Sequence, residues 1–134
     1  MGICLCKRQE KYEAFTNYNE YIELIEEEIS NVSEISSRFQ KLYNEEYNKS
    51  QILNTQTQLL QIKSNLILLS GAIKEKNELQ GISNENKKND FSQIKFILKE
   101  YYSMINEPEL LYQKESFVKE LSNDVYEFVK KIKK

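Results

Sequence analysis

Apolar residues recur along this chain at steps of three and four. Phe15, Tyr18, Ile22, Ile25, Ile29, Val32, Phe39 and Tyr43 form the first series; Ser36 alone breaks it, and the adjacent Ile35 can substitute. A stripe of that period occupies one face of a helix. Sustained over about four heptads, it predicts one helix over residues 10–48. Residues 51–79 resume the pattern, with Ile52, Leu59, Leu66 and Ile73 seven apart, Ile62 and Leu69 between them, and Leu53, Leu60 and Ile67 widening the stripe on one side. So broad an apolar face suits the centre of a bundle better than the narrow seam of a two-stranded zipper. Gly71 interrupts it, at about 1 kcal/mol relative to Ala, and a close helix crossing would account for a glycine there. Phe91, Ile94, Leu98, Tyr101 and Ile105 make a third series. Leu111, Val118, Leu121, Val125, Phe128 and Ile132 make the last, with its phase displaced by one residue.

The joints are set by turn chemistry. Asn48-Lys49-Ser50 is the first expected turn, with Ser50 as a helix cap. Residues 81–90 read as a loop, with Gly81 in the left-handed position after one helix. Asp90 is the expected cap of the next, with Gln93 three residues on. Pro108 removes a backbone donor and ends the helix before it, yet is comfortable in the first turn of a new one. The expected fold is therefore all-α: an elongated antiparallel helical bundle of three long elements, the third broken near Pro108, or four helices if its halves are counted separately. The first stretch and the combined third match in length, which favours three layers.

Composition agrees with helices: 134 residues hold three Gly and one Pro, and 40 % are apolar, enough for the core of a single domain. The net charge of −2 lacks the basic excess of a nucleic-acid binder, and no nucleic-acid partner is expected. No run of eighteen apolar residues is present to span a bilayer. There is no His, which removes Ser-His and Cys-His nucleophile pairs and the commonest metal ligand. Neither a phosphate-cradling glycine loop nor an EF-hand loop occurs. No enzyme activity, cofactor or metal is expected. Residues 10–48 carry ten Glu against Lys11, Arg38 and Lys41. Within them Glu26, Glu27 and Glu28 read either as a solvated face or as a docking strip for a basic protein partner.

The chemistry with the clearest meaning lies in the first eight residues, Met1-Gly2-Ile3-Cys4-Leu5-Cys6-Lys7-Arg8. Both cysteines of the chain fall in this octet. Gly2 becomes the N-terminus once Met1 is removed, the position myristoylation requires, although the usual Ser or Thr at position 6 is replaced by Cys6. The octet resembles the N-terminal targeting segments of Src-family kinases and of heterotrimeric G-protein α subunits. That resemblance covers the octet alone and implies dual acylation: myristate on Gly2, palmitate on Cys4 and Cys6. One myristoyl chain gives a binding constant of only about 10⁴ M⁻¹, so stable residence takes a second signal. Lys7, Arg8 and Lys11 would add roughly 1 kcal/mol each at an anionic leaflet. Idle thiols or half of an intermolecular thiolate site are the alternatives for the two cysteines.

Residues 1–9 are thus expected to be a flexible acylated anchor and residues 10–134 a single helical domain. The expected function is that of a membrane-tethered adaptor or scaffold on the cytosolic face of the plasma membrane or an endomembrane, presenting a helix face to a protein partner. A non-lipidated subunit of a coiled-coil assembly is the alternative, and a carrier with a cavity inside the bundle is a third reading. Lys130-Lys131-Ile132-Lys133-Lys134 at the C-terminus complements a helix dipole or forms a second membrane contact.

Overall fold

The computed structural model describes residues 17–42, 49–78 and 84–133. Four long helices and one 3₁₀ helix account for them: α1 (Tyr18–Leu42), α2 (Lys49–Glu78), α3 (Asn84–Asn106), the 3₁₀ helix (Pro108–Gln113) and α4 (Glu115–Lys133). The all-α bundle expected from the periodicity is the observed fold.

Local chemistry explains where the helices start and stop, and corrects several expected boundaries. α1 begins at Tyr18, so a start at Asn17 interrupts the single helix expected over 10–48. The Asn17 side-chain carbonyl accepts the Glu20 N–H at 3.1 Å, and its amide donates to the Glu20 carboxylate at 2.7 Å. This reciprocal cap satisfies a donor the helix itself leaves open. Ser50 lies inside α2 and is not its cap. α3 starts at Asn84, six residues before the expected Asp90. Asp90 is instead a buried helical residue, accepting a hydrogen bond from the Tyr18 hydroxyl at 2.8 Å. Pro108 stands in the first turn of the 3₁₀ helix, as its missing donor favours. The Glu107 N–H bonds back to Met104 O, Leu110 N–H to Glu107 O and Lys114 N–H to Leu111 O. This short helix buries Leu111 completely.

The interruption at Pro108 proves to be a reversal. Ser92, Gln93, Phe96 and Ile97 of α3 share a groove with Asp124, Glu127, Phe128 and Lys131 of α4, so the two helices run antiparallel side by side. The chain is therefore the four-helix version of the expected bundle, without the elongated third layer. α2 is its spine, packed against α1 on one flank, α4 on the other and the 3₁₀ helix, while α3 closes the square against α1 and α4. Ser36 pairs with Gln56 and Asn19 with Asn77, which makes α1 antiparallel to α2. Asn65 pairs with Ser122 and Lys76 with Ile132, which makes α4 parallel to α2. The core holds Tyr21, Ile25, Leu59, Ile62, Leu66, Leu69, Ile73, Ile94, Leu98 and Ile105.

Part of the α2 stripe does not join this core. Leu53, Leu60 and Ile67, expected to widen the buried face, are 69 %, 64 % and 52 % exposed. Gly71 is also exposed, and nothing lies within 4 Å of where its Cβ would stand. No neighbouring helix among the described residues crosses there.

Candidate functional site

The reversal collects four helix ends at one end of the bundle, here termed the proximal end. Asn19 in the first turn of α1 accepts a hydrogen bond from Asn77 in the last turn of α2, at 3.0 Å. Lys76 Nζ donates to Ile132 O in the last turn of α4 at 3.4 Å, satisfying one carbonyl the helix leaves open. Tyr18 reaches Asp90 near the start of α3. Its ring meets Phe91 edge-on at 5.1 Å, and Tyr21 packs on the same Phe91 at 5.1 Å, spacings at which aromatic pairs are favourable.

Lys130, Lys131 and Lys133 occupy the last turn of α4, exposed at this end. Their charges complement the carbonyl pole of the helix. Lys130 sits 3.8 Å from Glu127 with both groups well solvated, an ion pair of small energetic weight. Together with Glu127 the three lysines line a shallow surface depression, and Lys131 also borders the α3–α4 groove, a space of about 540 Å³ beside the exposed Phe96. That groove lies between helices at the surface and mixes two acids, one amide, one hydroxyl and one lysine with its aromatic rings.

The octet that carries Gly2, Cys4, Cys6, Lys7 and Arg8, and Lys11 after it, lies outside the described residues. The acidic run divides. Glu26 is exposed and pairs with Lys74 at 2.6 Å; Glu27 is exposed. Glu28 is only 2 % exposed, so the expected three-residue solvated strip is corrected to two. The cause is helical period: Glu28 falls three and four residues from Ile25 and Val32, on the face turned to the core.

Periodicity did not anticipate the polar contacts inside. Asn65, 2 % exposed, donates to the Tyr101 hydroxyl at 2.9 Å and to Ser122 Oγ at 2.6 Å, and its oxygen accepts from Gln61 Nε2 at 3.2 Å. Ser122 Oγ in turn donates to Val118 O at 2.8 Å. One amide thereby ties α2, α3 and α4 together with its donors and acceptor satisfied, the condition under which a buried polar group is tolerated. The signal was available: Asn65 stands next to Leu66 and three residues from Ile62, where a core position falls. Burial raises the Tyr101 phenol above the usual range, although the hydrogen bonds from Asn65 and Ser122 oppose it. Burial, then the Asp90 contact, does the same to Tyr18. Tyr21 is pushed up to about 12, by burial and by Glu20. All three phenols stay neutral at ordinary pH; Tyr18 serves as a donor to Asp90 and Tyr101 as an acceptor from Asn65.

Among the described residues no group of three or more His, Cys, Asp or Glu side chains could hold a metal ion. No described helix is long and apolar enough to cross a membrane. No protein-family model, curated protein or solved structure matches the chain.

Proposed function

We propose that the protein is a membrane-tethered helical adaptor on a cytosolic leaflet, held by acyl groups on Gly2 and on Cys4 or Cys6, with the helical body as a non-catalytic platform for a protein partner. The observation that supports it most is the return of α4. Its lysines end at the same end of the bundle as Asn19, within two helical residues of the start of α1, and the octet lies in the sixteen residues before Asn17. Had α4 continued away from α3, those lysines would stand several Debye lengths from the leaflet, where screening removes their attraction. At the proximal end these lysines are positioned to act on the same leaflet as an N-terminal anchor, each worth roughly 1 kcal/mol near anionic lipid, as Lys7, Arg8 and Lys11 would be. A myristoyl chain alone is marginal, so each such contribution matters. Glu26 and Glu27, exposed on α1, can meet a basic partner. The reading as a soluble assembly subunit is favoured by the apolar line on α2.

Membrane fractionation of cells expressing Gly2→Ala tests the anchor. Without the amide-linked chain the variant is expected in the soluble fraction. Cys4→Ser with Cys6→Ser is expected to bind weakly and wash off. A Gly2→Ala protein that pellets with membranes as fully as the parent would rule the reading out.

A further inference from the structure

The outer face of α2 has a regularity that the bundle does not use. Leu53, Thr57, Leu60, Ser64, Ile67 and Gly71 follow one another at steps of four and three, and all six are exposed. Their line runs about 27 Å along the helix at 1.5 Å per residue. Large residues occupy one heptad position and small ones the other, and none is charged. That is the arrangement of a helix–helix seam, with its partner helix missing among the described residues. Among the described residues, half of the exposed large apolar side chains lie on it.

We infer that this ridge is the interface of a parallel two-fold homodimer, α2 against α2 of a second copy. The inference goes beyond the proposed tethering and does not depend on acylation. Charge selects both the occupant and its direction. The α1 side of the bundle is acidic: its described side chains include Glu20, Glu23, Glu26, Glu27 and Glu34 against Arg38, with Glu26 paired to Lys74 of α2 and Glu34 to Arg38. On the α4 flank, Lys119, Tyr126 and Lys133 stand at heptad spacing beside Ser122, the residue that faces α2. An antiparallel pairing would lay each acidic α1 flank against its own copy. A parallel pairing about the bundle axis lays it against the α4 flank of the copy. The contacts Asn19–Asn77 and Lys76–Ile132 put Lys133 level with the first turns of α1, where Glu20 and Glu23 stand. The exposed Tyr126 extends the apolar seam sideways. A parallel dimer has one further consequence: both proximal ends point the same way, so both N-terminal segments would meet one leaflet and bind with the avidity of two linked anchors.

The test uses the full chain, unacylated, with Cys4→Ser and Cys6→Ser as background, at roughly 100 µM in sedimentation experiments. The background protein should sediment as a dimer. Leu60→Glu with Ile67→Glu should sediment as a monomer with unchanged helicity, and in dilute protein with unchanged melting, since both side chains are exposed in the single chain. Leu53→Cys reports direction. In the parallel dimer the two introduced thiols are neighbours and oxidise to a linked dimer; antiparallel, they stand about 27 Å apart, beyond disulfide reach. A background protein that is monomeric at this concentration overturns the inference. So does a dimer that survives the double Glu substitution, or one that cross-links only when Leu53→Cys is mixed with Gly71→Cys.

Discussion

Leu59, Leu66 and Ile73 on α2 are seven residues apart and fully buried; Leu53, Leu60 and Ile67 on the same helix are also seven apart and stand in solvent. Residue type cannot tell the two lines apart, and the inner face is not purely apolar, since Thr55, Gln58, Asn65 and Ser70 are buried with it. The difference lies in what the neighbours bring. α1, α4 and the 3₁₀ helix all pack on the inner side, and α3 reaches it through Tyr101. α4 shows the opposite case. Its apolar positions Val118, Leu121, Val125, Phe128 and Ile132 are buried and its exposed positions are mostly charged, so pattern alone assigns its inward face. A helix apolar on two sides needs its partners before its sides can be assigned.

The strongest way to break this contrast is one substitution on each line. Leu66→Asp places an unpaired carboxylate in the core, a loss of several kcal/mol against a total stability of about 5–15 kcal/mol, and the bundle should unfold or turn molten. Leu60→Asp in dilute protein should change stability by less than about 0.5 kcal/mol. Thermal melting followed by circular dichroism separates them; equal losses would show that the two faces are not distinct.

A smaller effect probes the polar residues of the inner line. Asn65→Ala leaves the Tyr101 hydroxyl and Ser122 Oγ without their shared donor, and unmade buried hydrogen bonds cost about 1–3 kcal/mol. Urea titration should report a loss in that range. A neutral result would mean that water or another side chain replaces the amide.

How much of this was legible in the sequence differs by kind of residue. The stripes that name the core of α1 and α4 were readable because charged residues fill the opposite faces. The break at Pro108 was readable because proline lacks a donor. Its direction was not: matched lengths favoured a single third layer broken near Pro108, whereas the burial of Leu111 belongs to a chain turning back. Tyr21 and Leu24, both buried, were missed because they lie beside the strict three-and-four series. Asp90 read as a cap because short-range rules see a carboxylate near a loop; its partner, Tyr18, is 72 residues away. The octet and the lysines were visible in the sequence, but only the tertiary path of α4 brings the lysines to the end of the bundle where α1 starts.

The buried phenols sharpen the contrast through pH. Tyr18, Tyr21 and Tyr101 have pKa values raised above the ordinary 10.0. Above that value the unfolded chain gives up phenol protons that the folded chain retains. Their contribution to stability is therefore complete below about pH 10 and is lost as pH rises through the folded values, that of Tyr21 being about 12. Alkaline titration should show phenolate absorbance from these three appearing together with loss of helicity. Full ionisation of all nine tyrosines before any unfolding would contradict their burial.

A further small change has the opposite sign. Gly71→Ala adds a methyl where nothing lies within 4 Å and removes the flexibility of a mid-helix glycine, so dilute protein should gain up to about 1 kcal/mol. Destabilisation would show that another segment approaches α2 there after all.

The central claim, that the proximal end of the bundle faces the membrane, is tested most directly by vesicle binding. Acylated protein is compared with the same protein carrying Lys130→Gln, Lys131→Gln and Lys133→Gln. At roughly 1 kcal/mol per lysine, with Lys130 discounted for its Glu127 contact, affinity for anionic vesicles should fall about tenfold to a hundredfold at low salt. The difference should vanish in high salt and on neutral vesicles. Equal affinity of the two proteins on anionic vesicles at low salt would contradict it.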